Sequence, residues 1–391
     1  MALGSSGPAA HSSASRLTIY SSLPRHGLSA AQARAIEQGA ALALAQHGRT
    51  IGAYTITYKR LDDSLASTGA ADPGRASKNA RTAAKDATTI GYIGQYNSFE
   101  SKVTIPIMNR KGIAQVSPAN TYNGLTIGGP GTVRGEPGKY YPTGRRTYAR
   151  VQPNDVVQAA ALATVAKNAS CSSVHIFNSK TTYSKGLARN IETVAPRIGL
   201  MIEANTSYNH RARSYRSLAH TVKAPCVIQT GEIESNGLRL LKDVGAVRKK
   251  ARLFGGDGVC LGDIARGLPG SAAKRYRCTI AMLAPSAFPP KGRRLFADYR
   301  ARYKDRHPDP NAIYGYESMA LLLDSIRTAS SSGTVTRRRV VDALFAMQNR
   351  DSVLGTYGID ANGDTTLRDF GVYAVSSRRL RFHHAVKSRG L

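Results

Sequence analysis

Four short polar segments are the candidates for chemistry in this sequence, because each follows directly after an apolar run that predicts a β-strand. They cover residues 94–98 (Gly-Gln-Tyr-Asn-Ser), 117–121 (Ser-Pro-Ala-Asn-Thr), 178–186 (Asn-Ser-Lys-Thr-Thr-Tyr-Ser-Lys-Gly) and 255–258 (Gly-Gly-Asp-Gly). Open parallel sheets place their ligand sites just beyond the carboxyl ends of strands. The four segments therefore predict a ligand-binding site.

The side chains of these segments suit a small zwitterion. Hydroxyls and backbone N–H groups at a helix start, as at Ser98 and Thr121, can receive a carboxylate. Asp257 lies between glycines that let the backbone approach closely, and it can accept hydrogen bonds from an ammonium group. Tyr183 can cover an apolar side chain. Each segment alone also has a structural interpretation, with Ser98 and Thr121 as helix caps, Asp257 as a turn residue and Tyr183 as packing.

Signatures of catalysis and of metal binding are missing from the sequence. It contains no GxSxG, HExxH or GxxxxGK[ST] motif, and no GxGxxG at a strand end. His383 and His384 are adjacent, but no cysteine or carboxylate lies near them in sequence, so we interpret them as exposed tail histidines. The sequence therefore predicts binding without catalysis, and neither a cofactor nor a metal.

The length and the net charge of the chain limit the classes of protein to which it can belong. The 391 residues suit two domains, and no stretch approaches the roughly 20 apolar residues of a membrane span. The 55 Lys and Arg residues against 25 Asp and Glu residues give a net charge of +30, which raises a nucleic-acid-binding hypothesis. The basic residues are spread along the chain, with only short clusters at 248–250 and 337–339, so a solvated basic surface is the favoured interpretation.

Strand and helix patterns alternate twice along the chain. Predicted strands at 17–20, 54–58, 89–93 and 113–116 enclose helices, and after a glycine- and proline-rich loop at 128–144 the alternation restarts near Arg150. Predicted strands then follow at 174–177, 202–207, 226–229, 251–254 and 278–283. This order indicates two α/β units in series, each with a mainly parallel sheet.

The last stretch predicts three helices, at 293–306, 314–329 and 337–348, which pack back onto the two units. It ends in a β-hairpin whose predicted turn is the Asp-Ala-Asn-Gly-Asp segment at 360–364.

Four cysteines allow three disulfide connectivities, and none belongs to a CxxC pair. We favour Cys260–Cys278, which would close a glycine-rich loop, together with Cys171–Cys226. Four reduced, buried cysteines remain an alternative, because the Gly/Ser/Ala-rich residues 1–15 lack the pattern of a secretory signal and are expected to be disordered.

Taken together and in this order, the segments resemble the branched-chain amino-acid-type substrate-binding proteins of ABC transporters, which have the type I periplasmic-binding fold. The resemblance covers about residues 16–386 and is carried by residues 90–94, 117–121, 183–186 and 255–259, with further typical motifs at 139–144 and 314–319. It implies two doubly wound, Rossmann-like α/β lobes with a ligand cleft between them. Lobe I would contain residues 16–149 and about 285–354, and lobe II residues 150–284 and about 355–391.

The resemblance also implies roles for individual residues. Ser98 and Thr121 would bind the α-carboxylate of an amino acid, and the backbone carbonyl of Ala119 would accept an ammonium proton. Asp257 would pair with the ammonium group and Tyr183 would line the opposite wall. The further expected ligand-binding residues lie in the first two loops and are Tyr96 and Asn120.

Three positions depart from the pattern of that family. Asn178 stands where an acid is usual, and Glu232 stands where an aromatic residue is common, so that a second acidic group would face the cleft. This favours a cationic or more polar ligand. Arg25 lies in an atypical loop at 21–27 and could engage an anionic substituent of the ligand.

The function implied is capture of a small molecule, an amino acid or a related polar solute, by closure of one lobe onto the other. The ligand would be delivered to an ABC-type permease on the extracytoplasmic side, assuming a signal sequence outside this chain, and the membrane would be reached only through the permease or a lipid anchor. One alternative is a ligand-sensing receptor domain of the same fold. The nucleic-acid-binding protein is a second, less favoured alternative.

Overall fold

The computed structural model describes residues 15–391. The segment predicted to be disordered, residues 1–15, lies outside the described residues except for Ser15, which begins the first strand. The strands are β1 (Ser15–Leu23), β2 (Thr50–Ile51), β3 (Tyr54–Asp62), β4 (Thr89–Ile93), β5 (Ala114–Ser117), β6 (Tyr148–Arg150), β7 (Ser173–Asn178), β8 (Met201–Ser207), β9 (Cys226–Gln229), β10 (Arg252–Gly255), β11 (Tyr276–Ile280), β12 (Arg350–Ser352), β13 (Gly355–Tyr357), β14 (Asp369–Ser376) and β15 (Arg379–Lys387).

The α-helices alternate with these strands. They are α1 (Ala30–His47), α2 (Pro73–Lys85), α3 (Ser98–Arg110), α4 (Asp155–Asn168), α5 (Thr182–Val194), α6 (Arg216–Thr221), α7 (Gly237–Val247), α8 (Gly262–Gly267), α9 (Gly270–Arg275), α10 (Pro290–Tyr303), α11 (Ala312–Ser331) and α12 (Arg337–Phe345). Within the described part of the chain, no helix is both long and apolar enough to cross a membrane.

The first sheet has the strand order β2-β3-β1-β4-β5-β6, and only the short β2 pairs antiparallel with its neighbour. Every residue of the central strand β4 is buried, as expected for a strand that is covered on both faces. The apolar core of this sheet includes buried residues of α10, α11 and α12, so the three C-terminal helices pack onto the first sheet.

Helices α1 and α11 touch through their backbones. A Cβ atom on Gly39 would lie 1.9 Å from the backbone oxygen of Ala312, and one on Gly315 would lie 2.0 Å from that of Ile36. Only glycine fits at these two positions, and this allows the long C-terminal helix α11 to pack in direct backbone contact with α1.

The second sheet has the order β15-β14-β11-β10-β9-β7-β8. The strands from β8 to β11 run parallel, and the hairpin β14–β15 adds to β11 in the antiparallel direction. Two apolar clusters cover its two faces. The α/β fold class with two mainly parallel sheets, predicted from the sequence, is confirmed.

The cysteines are joined as Cys171–Cys226 and Cys260–Cys278, with Cα–Cα distances of 6.0 and 5.4 Å. These are the two pairs that the sequence analysis favours over the other connectivities. The second bond attaches the segment that follows Asp257 to strand β11.

The predicted turn of the final hairpin was wrong. The hairpin is β14–β15, and its turn is Ser377-Arg378, where both residues have positive φ. Residues 360–364 form a separate turn closed by the Ile359–Thr365 bridge. The Asn-Gly pair is a strong local turn signal, but Asp364 beside it is buried against Arg150 and cannot sit at an exposed hairpin tip.

Candidate ligand-binding cleft

A cavity of about 670 Å³ lies between the carboxyl ends of the parallel strands of the two sheets. Its walls come from both halves of the molecule. The predicted site residues that line it are Tyr96, Ser98, Ala119, Thr121, Tyr183, Glu232 and Asp257. The structure therefore brings together all the predicted residues except Asn120 and Arg25.

The wall on the side of the first sheet is formed by the loops after β4 and β5. Ser98 begins α3, and its hydroxyl accepts a hydrogen bond from the backbone N–H of Tyr122 at 3.3 Å. Ser117 organises the other loop, because its hydroxyl accepts from the backbone N–H groups of Ala119 and Asn120 at 3.2 and 2.9 Å. The Ser98 hydroxyl accepts the bond from Tyr122 and can still donate its own hydrogen. A helix start with such a hydroxyl can bind a carboxylate of the ligand.

Asn120 has a different role from the one expected, because it is buried behind the cavity wall. Its side-chain amide donates to the backbone oxygens of Gln95 and Tyr96 at 3.0 and 2.9 Å. Tyr148 in β6 donates its hydroxyl to the amide oxygen of Asn120 at 2.9 Å. Asn120 thus fixes the two loops to each other, and it positions Ser98 and Thr121 without lining the cavity.

The opposite wall contains Asp257 at the end of β10. The hydroxyl of Tyr183 donates a hydrogen bond to the Asp257 carboxylate. A Cβ atom on Gly256 would lie 2.8 Å from the Tyr183 hydroxyl, so glycine at this position allows the close approach. Burial raises the pKa of Asp257, which means that withdrawal from water penalises its charged form. A cation placed against Asp257 would remove that penalty.

Glu232 lies next to Asp257 in the same wall. Its two carboxylate oxygens accept hydrogen bonds from the hydroxyls of Thr181 and Ser179 at 2.6 and 2.8 Å. The backbone N–H of Ile233 donates to the backbone oxygen of Gly258 at 2.9 Å, so the loops that carry the two carboxylates are joined. Burial raises the pKa of Glu232 as well.

Asp155 lies behind the cavity wall next to Thr121, and sequence reasoning missed it. It begins α4, it is fully buried, and neither of its carboxylate oxygens has a hydrogen-bond partner among the described residues. Its backbone N–H donates to the backbone oxygen of Thr121 at 2.7 Å. Burial, followed by the charge of Asp257, raises its pKa to about 8. Acidic residues are common in the first turn of a helix because they interact favourably with the helix dipole, so nothing in the sequence distinguishes Asp155 from an ordinary first-turn acid.

Several residues that line the cavity were also not predicted. Glu100 and Glu234 add two further carboxylates, and burial raises the pKa of Glu100 to about 7. Leu28 and Phe99 add an apolar surface, and they are 62% and 56% exposed although large and hydrophobic. Exposed apolar side chains at a cleft are typical of a binding surface.

Arg25 does not reach this cavity, contrary to expectation. It lines a separate pocket of about 310 Å³, where its Nε lies 3.5 Å from Oε2 of Glu37. Its backbone N–H donates to Asp62 at 3.0 Å, which fixes Arg25 at the edge of this pocket, although Pro24 and Leu28 of the same loop line the larger cavity. Arg25 therefore does not line the cavity that the other predicted residues share.

Residues 15–391 contain no group of three or more His, Cys, Asp or Glu side chains arranged to hold a metal ion. His383 and His384 lie in β15 with 2.7 Å between their Nδ1 atoms.

The sequence matches the family model of the periplasmic binding proteins over residues 19–379. Among solved structures, the chain resembles a leucine-binding protein of Thermotoga maritima, with 20% identity, a TM-score of 0.79 and coverage of 96% of this chain and 100% of the other. It also resembles the isoleucine complex of a branched-chain amino-acid transporter substrate-binding protein of Streptococcus pneumoniae, with 16% identity, coverage of 95% and 99%, and a TM-score of 0.76.

A third similar structure is an ABC-transporter solute-binding protein of Rhodopseudomonas palustris in complex with p-hydroxybenzoic acid. It shares 14% identity with this chain over 95% of this chain and 97% of the other, with a TM-score of 0.76. A search of the curated proteins finds no significant match. The family model covers nearly the whole described chain, and the chain belongs to the periplasmic binding proteins, a family of solute-binding proteins that are not enzymes.

Proposed function

We propose that this protein captures an amino acid in the cleft between its two lobes and delivers it to an ABC-type permease outside the cytoplasm. The observation that carries the proposal is the pairing of two opposite binding surfaces across one cavity. Ser98 and the Thr121 turn face it from the first lobe, and Asp257 with Tyr183 faces it from the second.

The two surfaces match the two charged groups of an amino acid. The start of α3 carries partial positive charge and offers the hydroxyl of Ser98, which suits an α-carboxylate. The Asp257 carboxylate accepts from the α-ammonium group, and the hydroxyl of Tyr183 keeps it in place. The backbone carbonyl of Ala119 can take a second ammonium proton.

Closure of the lobes would supply affinity. In our proposal residues 16–149 and about 285–354 form lobe I, and residues 150–284 and about 355–391 form lobe II. Ligand bound to one lobe is then enclosed by the other, which excludes water and strengthens the charged contacts in the lower local dielectric. The exposed Leu28 and Phe99 would lose solvent contact in the same step.

Two observations support an extracytoplasmic location. The family is one of periplasmic proteins. The pairs Cys171–Cys226 and Cys260–Cys278 both have geometry that permits a disulfide, and such bonds persist in oxidising compartments.

A thermal-shift screen of the twenty amino acids tests the proposal, because a ligand that binds only the folded protein raises its melting temperature by mass action. We expect at least one amino acid to raise it in a concentration-dependent manner. If no amino acid does so at millimolar concentration, the proposed ligand class is wrong.

A further inference from the structure

We propose that the amino acid bound in this cleft has a positively charged side chain, and that Glu232 selects it. The inference rests on the proposed function, since it refines the class of amino acid that the same site would bind. Its starting observation is that the charge balance of the cleft is opposite to that of the protein.

The cavity is lined by four carboxylates, those of Glu100, Glu232, Glu234 and Asp257, and by two lysines. The chain as a whole carries 55 basic and 25 acidic residues. The charge of one lysine, Lys102, is partly neutralised by a residue that does not line the cavity, because its Nζ lies 3.4 Å from the carboxylate of Glu136. The other lysine is exposed at residue 180.

The carboxylates of the cleft are also unpaired within the protein. None of the ion pairs formed by residues 15–391 involves the four lining carboxylates or Asp155 behind them. The chain has about twice as many basic as acidic side chains, and two lysines line the same cavity, yet none of the basic residues in 15–391 forms an ion pair with these carboxylates. Glu232 and Asp257 are half-buried and Glu234 is exposed. A carboxylate that is partly withdrawn from water without a cationic partner is unfavourable, and a bound cation can compensate for that cost.

A neutral zwitterion cannot provide the missing charge. Its ammonium group would pair with Asp257, but its carboxylate would bring a new negative charge into the cleft, so the net charge of the cleft would not change. Glu232 would then have no cationic partner and would keep only hydroxyl donors such as Thr181 and Ser179. A carboxylate has about four acceptor positions, so Glu232 can still accept from a ligand cation.

The apolar lining gives the rest of such a ligand a place. Leu28 and Phe99 line the same cavity as Glu232 and Glu234 and are largely exposed. The methylene groups of a long cationic side chain can pack on such a surface while the charged end reaches a carboxylate. Lysine, ornithine and arginine have this chemistry, whereas leucine has only its apolar part.

Arginine and citrulline provide a sharp test, because they have nearly the same shape and differ in the charge of the side chain. Isothermal titration calorimetry of the full chain should give a Kd for arginine or lysine at least tenfold lower than that for citrulline or leucine. The Glu232→Gln variant should lose at least tenfold in affinity for the cationic amino acid and change that for citrulline by less than about twofold. Glu192→Gln, at an exposed position on α5 away from the cavity, is the matched control and should behave like the wild type.

The outcomes separate this inference from the proposed function. Tighter binding of leucine or citrulline than of arginine, lysine and ornithine would overturn the inference and leave amino-acid capture intact. If no amino acid binds, both are wrong. An unchanged preference for the cationic ligand in a folded Glu232→Gln protein would overturn the role of Glu232, and Glu232→Ala provides the same measurement if the first variant does not fold.

Discussion

The guanidinium group of Arg150 and the carboxylate of Asp364 form an ion pair inside the protein, with 2.6 Å between Nε and Oδ1. The Arg150 side chain is fully buried, and it also donates to the backbone oxygen of Tyr122 at 2.8 Å. Asn154, which caps α4, donates to the second oxygen of Asp364 at 2.8 Å. The pair thus joins the end of β6 to a turn 214 residues later, at the place where the chain passes from the first sheet to the second.

Replacing Arg150 should destabilise the protein strongly. We expect Arg150→Met to lower the free energy of unfolding by about 3–5 kcal/mol, because Asp364 would remain buried without its cationic partner. Urea unfolding measures this. Arg338→Met is a matched control that removes an exposed pair with Asp342, where a change of less than about 1 kcal/mol is expected. If the two variants are equally stable, the pair does not have the structural role assigned to it.

The stability of the ligand-free protein should fall as the pH rises from about 4 to about 8. Asp155 has its pKa raised to about 8 by burial and by the charge of Asp257, so the folded protein keeps a proton that the unfolded chain releases above about pH 4. Glu100, with a pKa raised to about 7 by burial, contributes in the same direction. Thermal unfolding over this pH range measures the slope.

The Asp155→Asn variant should have a shallower pH dependence than the wild type, because it lacks the largest of these titrations. Asp369→Asn, at an exposed position in β14, should leave the slope unchanged. A slope of the same size in Asp155→Asn and the wild type would show that Asp155 titrates normally.

The two disulfides should differ in their effect on ligand binding. Removal of Cys260–Cys278 by a double alanine substitution should cost about 2–4 kcal/mol of stability and also weaken binding, because this bond anchors the segment that carries Asp257. Removal of Cys171–Cys226, which lies at the amino end of β9, should also destabilise the protein but leave the affinity unchanged. Chemical unfolding and calorimetry on both variants measure the two effects, and equal affinities would argue against the anchoring role.

Much of the cleft could be predicted because its residues follow strands. The carboxyl ends of parallel strands meet at one edge, so Ser98, Thr121 and Asp257 were recognisable from local sequence once the strands were placed. Tyr183 is the second residue of α5, in the first turn of the helix that follows β7, and it follows the same rule.

Residues whose position depends on tertiary contacts could not be predicted in this way. Asp155 resembles an ordinary first-turn acid, and only the packing of α4 behind Thr121 makes it a buried, unpaired carboxylate. Arg25 comes shortly after strand β1, just as the site residues come shortly after their strands. Its backbone N–H, however, donates a hydrogen bond to Asp62 on the neighbouring strand β3. The true hairpin turn, Ser377-Arg378, contains neither glycine nor asparagine and therefore gave no local signal.

The most direct test of amino-acid capture is calorimetric titration of the wild type and of Asp257→Ala with the amino acid that stabilises the protein most. We expect the substitution to weaken binding by about 2–5 kcal/mol, because one partner of a buried charge pair is lost. Asp263→Ala, which removes an exposed carboxylate paired with Arg266, is the control and should bind as the wild type does. Equal affinity of Asp257→Ala and the wild type for that amino acid would contradict the account.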